Sequence, residues 1–551
     1  MTALIITLFL PLIGSLALLF FRKTNVKLIK WFAFLLSTLT FVISLVLFFS
    51  FDKANAGFQF TYSTIWITSL DAGFRIGLDG MSLLLVLLTS FISPIAILSS
   101  FDAIKKREKE YYIMLLLLEF AMLGVFAALD TFLFYVFWEL ILIPMYFIIG
   151  IWGGKDRIYA AVKFFLFTVV GSLFMLVAIV WLGWHTAENI ILQNPETSSP
   201  ILTILFSPNE AASVFQAIKN SHFTTNFIVL REFAPLIQLD YQIWLFLAFA
   251  LSFCIKVPLF PLHTWLPDAH TEAPTAGSVI LAGVLLKMGT YGLMRFNIDL
   301  FPQASVYFAP WIGWLAVAGI VYGALVSLVQ TDVKRLVAYS SVSHLGFVVL
   351  GIFSMTAEGM QGAVIQMVNH GLSTGMLFLC VGVIYERRHT RMISEFGGIA
   401  RVMPAYSVMF GIAMLASVGL PGLNGFIGEY LTLLGAFSSP YLGSNIYTII
   451  SATGVIFAAC YLLWMFRRVM FGTIDNEQNK SLVDLNKIEW ATLAPIVVFI
   501  VWIGIYPNTF LSISEKSVRS LSNKVEKIQY GKTTYKLTET LKERGNREIK
   551  K

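Results

Sequence analysis

Charged residues are scarce in this chain. Asp, Glu, Lys and Arg make up 13% of its 551 residues, against about a quarter in an ordinary soluble domain. Cysteine is scarcer still. Cys254, Cys380 and Cys460 each lie inside an apolar run, which argues for small buried residues and against a disulfide framework, and no CxxC metal pattern is present. There is no Gly-rich phosphate loop, no cluster with metal-ligand spacing and no nucleophile elbow. Nothing therefore supports a soluble catalytic domain.

Apolar sequence is what the chain has in abundance. Hydrophobic residues make up 57% of it, the mean hydropathy is +0.77, and apolar runs of 18 or more residues recur from end to end. Runs of that length span a bilayer as helices. Barrel strands would alternate apolar and polar residues, so a β-barrel is excluded. The expectation is an all-α polytopic membrane protein of about 14 transmembrane helices, beginning near residues 3, 29, 82, 112, 131, 159, 242, 275, 305, 335, 362, 404, 443 and 489. The opening run "MTALIITLFLPLIGSLALLFFRK" has its basic flank after the apolar stretch and no small-residue cleavage site. It reads as a retained helix rather than a signal peptide.

Charge outside the spans is asymmetric. The loops "RKTNVKLIK", "DAIKKREKE", "GGKDR", "TDVKRL", "YERRHTRMISEFGGIAR" and "RRVMFGTIDNEQNKSLVDLNK" hold 20 Lys/Arg, and the alternate loops hold five. The positive-inside rule puts the rich loops in the cytoplasm and, with 14 spans, both termini outside. From Pro507 onward there are 11 Lys/Arg against five Asp/Glu, nearly all of the chain's net +7. Such a tail reads as a solvated or docked terminal segment. Residues 184–240 are acidic and polar, with the apolar fragments "SPILTILF" and "FIVLREFAPLI", and read as an external insert with some amphipathic helix.

Several ionisable residues sit too deep in the spans to reach the interface: Glu119, Glu139, Lys256, Lys287, His344, His370 and Glu429. Lys163 stands near a span start and can snorkel. A buried charge is costly in hydrocarbon unless paired or hydrated. Acids and bases alternating over successive spans meet that cost mutually, and such pairs exchange protons when they separate or when water enters. The bland alternative is a set of static polar anchors between helices.

Two of these residues stand beside helix breakers. In "LSFCIKVPLFPLHTWLP" Pro258 and Pro261 follow Lys256, and in "SVGLPGLNGFIGEY" Pro421 among glycines precedes Glu429. Freed backbone groups at such breaks need a hydrated cavity. Five spans separate the two, so the broken helices run in opposite directions, as in inverted repeats. The expected organisation is three N-terminal helices over 1–111, a first five-helix repeat over 112–296 containing the insert, an inverted second repeat over 297–470, a last helix over 471–510 and the basic tail 511–551.

The stretches "FWELILIPMYFIIGIWGG", "KVPLFPLHTWLPDAHTEAPTAGSVILAGVLLKMGTYG" and "ASVGLPGLNGFIGEY" closely resemble the proton-translocating chain M family of bacterial NADH:quinone oxidoreductase, respiratory complex I, whose mitochondrial counterpart is chain 4. The resemblance covers about residues 1–510. It implies an antiporter-like fold in which Glu139 and Lys256 form the charge pair of the first half. Lys287 would link the halves and Glu429 would stand at the exit of the second. His263, His344 and His370 match positions on the hydrated axis, and Glu119 matches a supporting acid. Related chains typically carry Lys where Glu429 stands. The implied reaction is NADH-to-quinone electron transfer coupled to proton export. NADH, flavin, iron–sulfur clusters and quinone would be held by partner subunits, and this chain would hold no cofactor or metal. Its partners would be the other membrane subunits, neighbouring antiporter-like chains among them, and the lipid of a bacterial inner membrane, with no nucleic acid. A multisubunit cation/proton antiporter, an energy-converting hydrogenase subunit and a structural scaffold remain as alternatives.

Overall fold

The computed structural model describes residues 1–193, Leu202 and 205–527. Among them, 12 helices are long and apolar enough to cross a membrane, and Thr2–Leu18 and Pro404–Val418 are shorter apolar helices. Gly80–Ser99, Thr275–Ile298, Val333–Phe353 and Ala357–Arg388 are enclosed on nearly every side, whereas Val26–Ser50, Ile446–Met470 and Lys487–Ile505 present most of their surface outward. The chemistry explains the sorting. Val333–Phe353 and Ala357–Arg388 carry Ser, His, Gln and Asn, which need partners across helices. The outer helices present Leu, Ile, Val and Phe, which lipid accommodates.

Acidic and hydroxyl caps fix where the inner helices begin. Asp79 and Ser82 form a capping box at Gly80–Ser99. Asp130 accepts from the Phe132 and Leu133 amides at 3.0 and 3.1 Å. Asp332 and Thr356 do the same for the next two inner helices. Each cap supplies an acceptor to amides that have no intrahelical partner.

The two ends of the bundle differ. One end gathers the basic loops through the ion pairs Lys23–Glu110, Lys30–Glu108 and Arg391–Asp332. The other carries a feature the all-α expectation missed, an antiparallel hairpin of β1 (Gln59–Ile67) and β2 (Ala72–Leu78). Its signal was present as the aromatic and β-branched run "FTYSTIWI" before a turn residue. A hairpin is too short to alter the pattern of long apolar spans. Asp71 makes the turn with a left-handed φ of 44°. Arg75 ties it down through Asp71 at 2.6 Å and Asp130 at 2.7 Å, so the hairpin is anchored on the cap of the helix that carries Glu139.

At the same hairpin face, the helix Arg157–Gln193 continues into the expected insert. There Pro208–Ser221 and Phe227–Phe233 form short helices, while "SPILTILF" falls largely outside the described residues. The basic tail is helical over 508–527 and docks on this face. The Gly80 amide donates to Ser517 Oγ at 3.0 Å, and Lys524 Nζ donates to Asp299 Oδ1 at 2.8 Å. Residues 528–551 lie outside the described residues.

Asp299 is the keystone of that docking. Burial raises its carboxyl, but Arg231, Lys524 and Arg295 outweigh burial and hold it at about 2. A carboxyl held below its unfolded value of about 3.9 contributes stability above that value and loses it as pH falls toward the folded one. The detergent-solubilised protein is therefore expected to lose thermal stability between about pH 4 and pH 2, with a slope that Asp299→Asn reduces. Identical slopes in melting curves of the two proteins would refute this role.

Candidate functional site

The first broken helix stops at Lys256, the last residue of Leu239–Lys256, and resumes as Trp265–Glu272. Two local bonds repair the break. The Trp265 indole donates to the Ile255 carbonyl at 2.9 Å, and the Leu259 amide to the Cys254 carbonyl at 2.9 Å. Gly289 of the neighbouring helix presses on the break. A Cβ there would stand 2.7 Å from the Phe253 carbonyl oxygen and 2.8 Å from the Val257 nitrogen. Gly289→Ala is accordingly expected to cost about 1–3 kcal/mol through overpacking, read as a lower melting temperature in detergent. An unchanged melting curve would contradict this close approach.

Lys256 is fully buried, yet its Nζ has no hydrogen-bond partner among the described residues. It lies over the rings of Trp138 and Phe164, 5.3 and 5.4 Å from their centroids. Cation–π attraction of this kind strengthens when the cation is desolvated. Glu139 sits one residue on from Trp138, beside Tyr135 and Ser172, with Lys256 near enough to attract it. Its Oε1 has no partner among the described residues. Glu139 and Lys256 attract each other without an ion-pair contact within 4 Å, and the aromatic rings seat the ammonium.

Lys287 is the centre of a second, connected group. It is fully buried and lies just after a π-helical turn, Leu281–Leu285, in the interrupted helix Thr275–Ile298. Its Nζ donates to the Ala282 carbonyl and stands 2.6 Å from His370 Nδ1. The His370 and His344 rings are 5.9 Å apart. His344 Nδ1 is 3.0 Å from Glu429 Oε1, and Gln366 Nε2 donates to the same oxygen at 3.3 Å. Three helices and the second broken helix therefore bring four ionisable side chains into one buried row.

The second break is built differently. Pro404–Val418 stops and Asn424–Phe437 resumes, with Gly419 and Gly422 at φ of 83° and 92°, a region that glycine enters without Cβ strain. Gly419 also leaves room for Glu429, whose Oε2 lies 2.7 Å from where a Cβ would be. Asn369 Nδ2 donates to the Asn424 carbonyl at 2.7 Å, and Asn424 Nδ2 returns a bond to the Asn369 carbonyl at 3.3 Å. This exchange fixes the residue before His370 against the start of the Glu429 helix.

The other expected residues stand off this row. Glu119 accepts from Ser37 Oγ of the helix Val26–Ser50 at 2.8 Å. His263 lies in the break against the Phe260 and Tyr322 rings, at 5.8 and 5.0 Å. Lys163 pairs with Asp268 at 2.7 Å instead of snorkelling free.

Two residues escaped the sequence reading. His270, at the end of "HTWLPDAH", is fully buried, stacked on Phe378 at 4.6 Å, and within electrostatic reach of Lys287 and Lys334. Lys334 looked like an ordinary basic-loop lysine in "TDVKRL". It is buried and donates to the Ala273 carbonyl at 2.5 Å. It lines a cavity of about 180 Å³ with Glu272, Glu386 and Arg391 at the basic-loop end.

A family model described as the NADH:quinone oxidoreductase/Mrp antiporter transmembrane region matches residues 128–458. Subunit M of NADH-quinone oxidoreductase from Rhodobacter capsulatus is 44% identical over 504 residues, covering 89% of this chain and 90% of that one. NADH-ubiquinone oxidoreductase chain 4 from Marchantia polymorpha is 41% identical over 524 residues, covering 95% and 96%. A chain of respiratory complex I from Thermus thermophilus superposes with a TM-score of 0.78 at 30% identity, covering 94% of this chain and 99% of that one.

Proposed function

The chain belongs to the NADH:quinone oxidoreductase/Mrp antiporter transmembrane family, and from that premise we propose how it moves protons. It is a multi-pass membrane subunit of a multisubunit complex. Protons cross through Glu139, Lys256, Lys287, His370, His344 and Glu429, driven by electron transfer from NADH to quinone in partner subunits. The observation that carries this reading is the buried row from Lys287 to Glu429.

The proton balance along the row is simple. Lys287 ammonium gives a proton to the free Nδ1 of a neutral His370 and becomes an amine. His370, now protonated on both nitrogens, passes a proton across the ring gap to His344. His344 returns to neutrality by giving its Nδ1 proton to the Glu429 carboxylate. The net change turns the Lys287 ammonium and the Glu429 carboxylate into an amine and a carboxylic acid, so two separated buried charges are exchanged for none. Glu139 sets the first half in motion. When it is ionised it draws the Lys256 ammonium from its aromatic seat. When it is protonated the ammonium is left without a counter-ion, and release of its proton becomes favourable.

The rest of the reading follows the same premise. This chain performs no redox step, and NADH, flavin, iron–sulfur clusters and quinone belong to partner subunits. The two halves, 112–296 and 297–470, act as inverted repeats. The membrane is a bacterial inner membrane, with both termini on the periplasmic side.

The test is a double-variant cycle in inverted vesicles that carry the assembled complex. Lys287→Met is expected to lower NADH-driven acidification by roughly tenfold, and adding His370→Leu to lower it little further, because groups acting as one unit are not additive. Losses that multiply would break the unit apart. In the same vesicles, a sodium gradient without NADH is expected to produce no acidification. Exchange under those conditions would favour a cation/proton antiporter.

A further inference from the structure

Lys287 is not the last ionisable side chain on its helix. Toward the hairpin face, Tyr291 and Arg295 follow at four-residue intervals, and both are buried. That spacing keeps them on one side of a helix, and Arg295 Nε indeed donates to Tyr291 Oη at 3.1 Å. Arg295 then meets Asp79 at 2.5 Å. Asp299, four residues further on, meets Arg231 at 3.0 Å and Lys524 at 2.8 Å. Those two side chains are 23% and 19% exposed, so the line of ionisable groups reaches water.

For a relay such a line is a hazard. Lys287 Nζ rests on the Ala282 carbonyl and His370, and a swing of its flexible stem toward Tyr291, or one water between them, would give its proton a second way out that bypasses His370. Tyr291, Asp79 and Asp299 each present an oxygen that can carry a proton. Arg295 stands between Tyr291 and the carboxylates, and a guanidinium does not release a proton in a protein. It is buried among rings: those of Phe58, Tyr291 and Phe227 lie 4.9, 5.3 and 5.9 Å from it. Arg231 and Lys524 add two more cations, and Asp79, Asp299 and Glu232 balance the three, so the barrier is the fixed guanidinium itself and not a surplus of charge. Fixed arginines exclude protons from water pores by the same electrostatics.

We propose that Arg295 is a positive plug that closes the side path from Lys287 to the hairpin face, so that protons reaching Lys287 leave through His370. The proposal rests on the reading of Lys287 as a relay group. A plug and a plain staple between helices differ in what they do to passive proton flow. Arg295 lies about 12 Å along the helix from Lys287. At an effective dielectric constant of about 20, one unit charge at that distance changes proton occupancy about tenfold.

The experiment uses the assembled complex in sealed vesicles with electron transfer stopped, and follows the decay of an imposed pH gradient. Arg295→Gln removes the single charge while its side chain can still reach Asp79. Decay is expected to be about tenfold faster than in the parent complex, and to return to the parent rate when Lys287→Leu is added. Arg295→Met with Asp79→Asn leaves no buried orphan charge and is the second variant, used if the first does not assemble and read as a faster decay than the parent's because the guanidinium that holds its proton is gone. An assembled variant that stays tight overturns the plug. So does a leak that persists with Lys287→Leu, because it does not start from Lys287. Failure of both variants to assemble assigns Arg295 a structural role and also overturns it. The relay reading is judged separately, by loss of NADH-driven acidification in Lys287→Met. A plug failure with that loss intact spares the relay.

Discussion

Glu139→Gln is expected to abolish coupled turnover while leaving the complex assembled. Gln keeps the shape of the side chain and its place beside Tyr135 and Ser172, but it neither holds a charge nor titrates. In inverted vesicles, NADH-driven quinone reduction and acidification are expected to fall together by about a hundredfold, the typical cost of losing a positioned acid–base group. They fall together because electron transfer that cannot move protons stalls. Native gels establish that the assembly is intact. Both activities persisting at parental levels would make Glu139 a structural anchor and would sink the mechanism. NADH oxidation left untouched while sodium–proton exchange disappears would replace it with antiport. Glu119→Gln serves as the comparison. Its carboxylate is bound to Ser37 and stands away from Lys256 and Lys287, so its loss is expected to be far smaller.

How much of this site could be read from the sequence follows from what sequence encodes locally. The spans were legible because hydrocarbon demands long apolar runs and tolerates little else. Both breaks were legible because Pro258, Pro261 and Pro421 interrupt such runs beside an ionisable residue. The same economy singled out Lys287, His344, His370 and Glu429, which the fold brings into one row. What could not be read was distance. Whether Glu139 touches Lys256 depends on how three helices pack, and Trp138 is an unremarkable aromatic in a run of aromatics until the fold lays it under the ammonium. Lys334 was hidden for the opposite reason: it sits among loop lysines, and only packing against the end of the first broken helix buries it. The hairpin escaped because it is the one element whose signal competes with long apolar helices on either side.

Lys256→Arg separates the two roles a buried cation can have. If Lys256 is an anchor, charge and reach are what matter. Arginine supplies both, and its planar guanidinium suits the Trp138 and Phe164 faces at least as well as an ammonium does. If Lys256 is a relay group, it must give up its proton, and arginine does not. The relay reading therefore expects Lys256→Arg to lose NADH-driven acidification as completely as Lys256→Met, about a hundredfold, although the arginine variant retains the cation and should assemble at least as well. The structure makes this contrast sharp. The ammonium has no hydrogen-bond partner to lose among the described residues, so a replacement that keeps the cation–π seat disturbs little else. Acidification restored by arginine to near the parental rate would show that the charge alone is needed, and the path between Glu139 and Lys287 would have to run through another group. His270, buried within electrostatic reach of Lys287, would be the first to test.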